Sequence, residues 1–510
     1  MILPVLAVGW GLILFCEKSS LGFVEKTACI AIVCGLFLIA VQPIMNGYDE
    51  PEHFFKVIAS LDGKGLRYYK YNYEISNSFY TLRNLRGSGW WVLGNTPWST
   101  ETTMSQVLID GRAQPTYPVW GYLFSMIGVG ITRFFHAPLF LIYLMGKIMN
   151  LVGFVCLGTW ALKITPKYKT IFAVFMCMPA TLLVVCAYHS DATTYGLVML
   201  IMAYFLKWRE QHVISLKEWI LWSLFLFLLV PLKFPYIGLL GLLFLLPGSD
   251  FRFRYKNIWK GTLILVVSVF AILWSTQISS NFVEWISPGF DREAQIKFVF
   301  THPLETLWIF TSSILSQTPV FIDRFFGMSG FDTAILPGIF KEAHVALVCL
   351  LLLLSEKLNW KKWEKLWIFF MILGIWLLTD LALYVTFTPV GSLVMHGVQG
   401  RYLTPLLFIV ALILPKIRQT GWKEEQINSV LYYCNIIFSA VLILGIGYYF
   451  YYCAGYYRGR KNKNSSIDIK KKRWLTYPQS ALRKSPFYGH FRHWVAVQVP
   501  LPAVLLKQSI

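Results

Sequence analysis

Three carboxylates and an imidazole, Asp49, Glu50, Glu52 and His53, stand within five residues of each other in NGYDEPEHF, residues 46–54. The chain around them is only 14% charged, so acids concentrated at one point suggest use. Further along, HSDATT offers His189 and Asp191, LKFPY offers Lys233 and Tyr236, and GVQGRY offers Gln399, Arg401 and Tyr402. Acids together with fixed cations suit a phosphate leaving group attacked by a neutral hydroxyl. That chemistry needs a base near the attacking oxygen and positive charge where negative charge builds. Each residue also has a structural reading. Asp49 fits an N-cap, with Pro51 early in the helix and Glu50 and Glu52 in its first turn. Asp191 fits the N-cap of the next run, Lys233 a cation snorkelling to an interface, and His189 a structural histidine at a helix boundary. Lys147 in LMGKIMN falls near a helix end, where it either snorkels or approaches the same groups. Arg401 resists a structural reading most, because a guanidinium in a Gly-Arg-Tyr turn suits bidentate phosphate contact.

The elements that must position these groups are membrane helices. The 510 residues are 56% hydrophobic, and many apolar runs of 16 or more residues alternate with short basic loops. This excludes a soluble fold. The nine cysteines lie almost all in apolar runs without a CxxC pair and read as small buried hydrophobes, not disulfides or zinc ligands. The N-terminus lacks the basic stretch of a cleavable signal peptide. Net charge is +20, of which residues 453–510 contribute +11 and inter-helical loops the remaining +9, a positive-inside pattern and not a nucleic-acid signal.

Five basic loops, at 165–169, 207–218, 250–260, 355–365 and 415–425, are expected on one side of the membrane. That parity takes the first span, 27–45, out to the opposite side, where 46–117 forms a large external loop. Stretch 118–135 becomes an interfacial or re-entrant helix and 138–164 a span; 171–187, 195–206, 219–231, 234–246 and 263–278 cross in turn. Residues 279–337 form a second external region in which 304–315 lies along the surface. Runs 346–354, 367–386, 403–413 and 429–451 complete about twelve spans, and the basic tail is left outside. The expected architecture is an all-α polytopic protein: an anchor at 1–26, a module at 27–278, the external region 279–337, a C-terminal module at 338–452 and a tail at 453–510. Nearly every unusual polar residue named above falls on the external side, together with an excess of aromatic residues that suits an interfacial belt as well as sugar or lipid stacking.

The order of motifs carries a resemblance. The acidic pair after an N-terminal span resembles the first external loop of the GT-C superfamily of polyprenyl-phosphate-sugar-dependent glycosyltransferases. The series MNGYDEPEHFFKV, QPTYPVW, GKIMN, YHSDATT, LKFPY, THPLE, GMSGFDTAILP and GVQGRYLTPLL is similar to an uncharacterised bacterial family of multi-pass membrane proteins placed within it. The chain departs from that pattern where the run before the acids reads QPIMNGYDE, and where GKIMN carries lysine in place of arginine. The resemblance implies a GT-C-like fold in the bacterial plasma membrane with an extracytoplasmic active site. It implies Asp49 as general base or metal ligand, with Mg or Mn as the optional metal, and Glu50 as its partner. Arg401 and Lys233 would hold the departing lipid phosphate, with His53, His189, Asp191, Tyr236, Gln399 and Tyr402 completing the substrate site. The partners implied are the bilayer, a polyprenyl-phosphate-linked sugar donor and a cell-envelope glycan acceptor. Two other classes fit less well: a polysaccharide polymerase or ligase, and a flippase, for which Asp380 inside 367–386 is the one candidate intramembrane acid.

Overall fold

The computed structural model describes residues 20–47, 49–64, 73–84, 106–109, 117–278, 291–326, 338–356, 358–397, 399–415 and 423–463. Most of the first external loop, the start of the anchor, the GMSGFDTAILP motif and the tail from 464 onward lie outside these residues. The chain divides into two units, Met1–Gly455 and Tyr456–Ile510, and the second is described only as helical backbone at 456–463.

In chain order the helices are α1 (Phe23–Val41), α2 (Glu50–Leu61), α3 (Asn77–Asn84), α4 (Leu123–Phe134), α5 (Leu139–Ile164), α6 (Lys169–Cys177), α7 (Pro179–Val185), α8 (Asp191–Gln211), α9 (Leu216–Leu232), α10 (Lys256–Ile278), α11 (Arg292–Thr301), α12 (Pro303–Phe326), α13 (Gly338–Leu354), α14 (Lys362–Phe387), α15 (Leu406–Ile413) and α16 (Glu424–Lys463). Strands β1 (Tyr73–Ser76) and β2 (Gln106–Ile109) pair antiparallel, Tyr73 opposite Ile109, so the fold is mostly helical and not purely so.

Among the described residues five helices are long and apolar enough to cross a membrane: Phe23–Val41, Leu139–Ile164, Lys256–Trp274, Lys362–Phe387 and Glu424–Tyr448. Other expected spans take different forms. Stretch 171–187 is two short helices, because Met178 is extended before Pro179, as the residue preceding a proline tends to be. Every residue of both except Lys169 is buried, which frees them from spanning length. Stretch 234–246 is a 3-10 helix, Phe234–Leu245, lying against α14. Its Gly238 and Gly241 stand three apart, the period of that helix, and added Cβ atoms would meet Ile375 and Met371. Stretch 118–135 is the 3-10 turn Val119–Tyr122 followed by α4.

Helices α8 and α9 form an antiparallel pair that fixes the two ends of the bundle. Lys207 pairs with Glu218 at 2.6 Å at one end, and Asp191 with Lys233 at 3.0 Å at the other. At a rise of about 1.5 Å per residue, Asp191 and Arg209 stand roughly 27 Å apart along α8, close to a hydrocarbon thickness. The basic loops gather at the Arg209 end. Arg209 bonds Glu364 at 2.8 Å, Lys167 pairs with Glu356, the Tyr168 hydroxyl accepts from the Leu358 amide, and Ile214 bridges to Phe251. The main core runs between the ends through α1 and α5 to α9. A second core, with Phe54, Ile75, Phe79, Tyr122, Val129, Tyr143 and Tyr188, joins α2, the strand pair, α3, α4 and the start of α5 at the Asp191 end.

Candidate functional site

Four distant segments meet at the Asp191 end. Asp49 precedes α2 in the left-handed region, φ 49°, ψ 26°, which only a few residue types adopt readily. It occupies the N-cap position but its side chain makes no capping bond, which corrects the simple cap reading. The carboxylate instead faces Arg401, Oδ2 to Nη2 at 3.4 Å, and is 53% exposed where the Arg401 side chain is 4% exposed. One turn on, His53 is buried. Its Nδ1 shares a 2.6 Å hydrogen bond with the Tyr122 hydroxyl, and its ring lies 4.0 Å from that of His189 and stacks on Tyr117.

His189 and Asp191 come from the turn between α7 and α8. Asn150 of α5 shapes that turn, its amide donating to the carbonyls of Val185, Ala187 and His189. Asp191 is the first residue of α8, behind Ser190, so the expected cap is displaced by one residue. Its buried carboxylate stands between Lys233 at 3.0 Å and Arg401 at 3.5 Å. The His189 Nε2 faces the Arg401 guanidinium, which can only donate, so Nε2 accepts. The ring's Nδ1 accepts from the Asp191 backbone amide at 3.0 Å and lies 3.1 Å from the Asp191 carboxylate. Burial, then Arg401 and Lys233, lower the His189 pKa well below its ordinary value. Burial, then His189 and Arg401, do the same to His53. Both rings are neutral, and two carboxylates balance two cations.

Lys233 follows α9 and does not snorkel. Its ammonium sits 4.3 Å from the Tyr402 ring centroid and 4.8 Å from that of Tyr117, with its side chain only 9% exposed. Arg401 sits in the 3-10 turn Gly400–Tyr402, whose backbone is held from two sides. The Tyr195 hydroxyl donates to the Arg401 carbonyl at 2.8 Å, and the Tyr236 hydroxyl to the Tyr402 carbonyl at 2.9 Å. Tyr236 therefore supports the turn. Gln399 accepts from the Arg401 Nε, and the Tyr402 hydroxyl accepts from Nη2.

Glu50 belongs to a separate network. Fully buried, it accepts from the Gly47 amide at 2.7 Å and the Tyr143 hydroxyl at 2.9 Å, and pairs with buried Lys147 at 3.2 Å. Lys147 thus lies in the third turn of α5 and reaches no lipid interface. Glu52 pairs with Arg83 at the surface. With Glu50 so engaged and both Asp49 and Asp191 against cations, these residues do not form a divalent-metal site. Among the described residues no group of three His, Cys, Asp or Glu is arranged to hold a metal. Asp380 is fully buried in α14, and its oxygens make no hydrogen bond among the described residues.

Sequence reasoning missed Asn150, Tyr117, Tyr122 and Tyr195. Asn150 lies inside GKIMN and Tyr117 inside QPTYPVW, so the motifs pointed to them, but the abundance of aromatic residues hid which tyrosines mattered.

Residues 93–410 match a family described as "Predicted membrane protein (DUF2142)", and the chain belongs to that family. His189, Asp191, Lys233 and Arg401 lie within the matched segment, whereas Asp49 to His53 precede it. No curated protein and no solved structure matches the chain.

Proposed function

We propose that this member of a predicted-membrane-protein family is a glycosyltransferase. It moves a sugar from a polyprenyl-phosphate-linked donor to a hydroxyl of a cell-envelope glycan or lipid-linked acceptor, at the bundle end opposite the basic loops. The observation that carries the reading is the asymmetry of the Asp49–Arg401 pair, a half-exposed carboxylate resting on a buried guanidinium backed by Lys233. A donor phosphate entering from the open side competes with Asp49 for Arg401. Displacement leaves Asp49 as a free carboxylate beside the anomeric carbon. The acceptor oxygen then bonds that carbon, its proton passes to Asp49, and the carbon–oxygen bond to phosphate breaks with its electron pair on the phosphate. Arg401 and Lys233 stabilise the charge that develops. His189 is a poor base here, because its Nε2 lone pair is taken by Arg401. It serves, with Asp191, to hold the guanidinium in place.

The test is transfer from labelled polyprenyl-phosphate sugars by purified protein. Asp49→Asn is expected to lower the rate by about 10²–10⁴-fold while leaving membrane insertion and the thermal midpoint near wild type. Arg401→Lys should lose about 10²-fold or more, since an ammonium cannot reproduce the guanidinium contacts. Full transfer by Asp49→Asn removes the assignment.

A further inference from the structure

A cavity of about 330 Å³ lies at the other end of the bundle, among the basic loops. It is bounded by the starts of α1, α6 and α16 and by the residues after α13, with Lys169, Thr170, Ser355 and Glu425 among its lining. The start of α6 is unusual. Helix N-termini carry partial positive charge and favour acids, yet α6 has no acid in its first turn, no side-chain cap, and Lys169 as its first residue. Tyr168, left-handed at φ 62° before it, gives its carbonyl to the amides of Ile171 and Phe172. The exposed Lys169 ammonium thus adds positive charge to that already at the helix end. The neighbouring acids do not balance it: Glu356 is paired with Lys167 and Glu25 with Lys163, and Glu425 belongs to the first turn of α16. A second observation points into the same space. Ser355 lines the cavity at 2% exposure, and its hydroxyl has no hydrogen-bond partner among the described residues.

We propose that this cavity binds a phosphodiester, carried by a membrane lipid, with the phosphate between Lys169 and the α6 amides and accepting from the Ser355 hydroxyl. A single negative charge fits better than two, because Glu425 and the Lys167-paired Glu356 both share the lining. Phe23 and Tyr433, both on the lining and substantially exposed, give the mouth the aromatic rim found at headgroup height. This site is independent of the sugar-transfer chemistry.

Native mass spectrometry on the full-length protein, delipidated and then titrated, provides the test. Phosphatidylglycerol, diacylglycerol with the same chains, and water-soluble glycerophosphoglycerol serve as the probes. Phosphatidylglycerol is expected to be retained and diacylglycerol lost. Lys169→Glu should weaken retention roughly tenfold or more and Ser355→Ala by a few fold, while Lys217→Glu on another basic loop keeps it. Displacement of the lipid by glycerophosphoglycerol at similar concentration would support the same site with a soluble phosphodiester as ligand. Equal retention of phosphatidylglycerol and diacylglycerol, or wild-type retention by Lys169→Glu, overturns the proposal.

Discussion

Asp49 and Glu50 are adjacent in sequence and do opposite things, and the reason is geometric. Asp49 is left-handed and stands just outside the helix that Glu50 begins, so Asp49 meets Arg401 while Glu50 turns back to Tyr143 and Lys147. The sequence made the acids conspicuous because charge is scarce there. It could not assign their roles, because the partners that decide lie about a hundred residues away for Glu50 and more than three hundred for Asp49. Removing one member of the buried Glu50–Lys147 pair leaves an uncompensated charge, so Glu50→Gln or Lys147→Met should cost about 3–5 kcal/mol, seen as a lowered unfolding midpoint in detergent. The two histidines give a pH dependence. Their folded pKa values are depressed, so below about pH 6.5 the unfolded chain binds protons that the folded chain does not. Their effect on stability is therefore nil above that pH. It grows as pH falls, by up to about 1.4 kcal/mol per unit for each ring. Melting between pH 8 and 5 should show this fall, reduced by about half in His53→Phe.

At the scale of elements, proline and glycine explain most of the differences between the apolar runs and the helices they form. Hydropathy located the runs, but not that 171–187 would break at Pro179 or that 234–246 would wind as a 3-10 helix, because burial between neighbours removes the need for spanning length. The β1–β2 pair was missed because its strands are four residues long and 29 residues separate them. The turn at Val119–Tyr122 shows how such elements reach the site. Gly121 lies against Ser190, and its carbonyl accepts from the Thr193 hydroxyl, so the turn that carries Tyr122 and follows Tyr117 abuts the start of α8. An added Cβ would come within 2.5 Å of Leu232 and 3.0 Å of Ser190. Gly121→Ala should therefore destabilise by about 1–3 kcal/mol and, in a transfer assay, lower the rate beyond what lost stability explains, because it moves Ser190 and Leu232, the neighbours of Asp191 and Lys233.

Across the whole molecule, charge and polar chemistry separate by end. Helices α8 and α9 connect the Asp191–Lys233 pair to the Lys207–Glu218 pair over roughly 25 Å by helical rise, close to a hydrocarbon thickness. The basic loops share the second end, and positive charge in short loops is retained on the cytoplasmic side. The proposed function therefore requires the candidate site to face outward, away from the basic loops. This separation does not depend on the number of spans, because it rests on one helical hairpin and the ion pairs at its ends. Cysteines placed at exposed positions test it directly: Glu74→Cys on β1, in the element that packs against α2, and Lys217→Cys at the start of α9, in a background without other reactive thiols. An impermeant maleimide should label position 74 in intact cells and position 217 only after the membrane is opened. If both positions react in intact cells, or both only after opening, the ends do not lie on opposite sides, and the site loses the compartment its proposed substrates require.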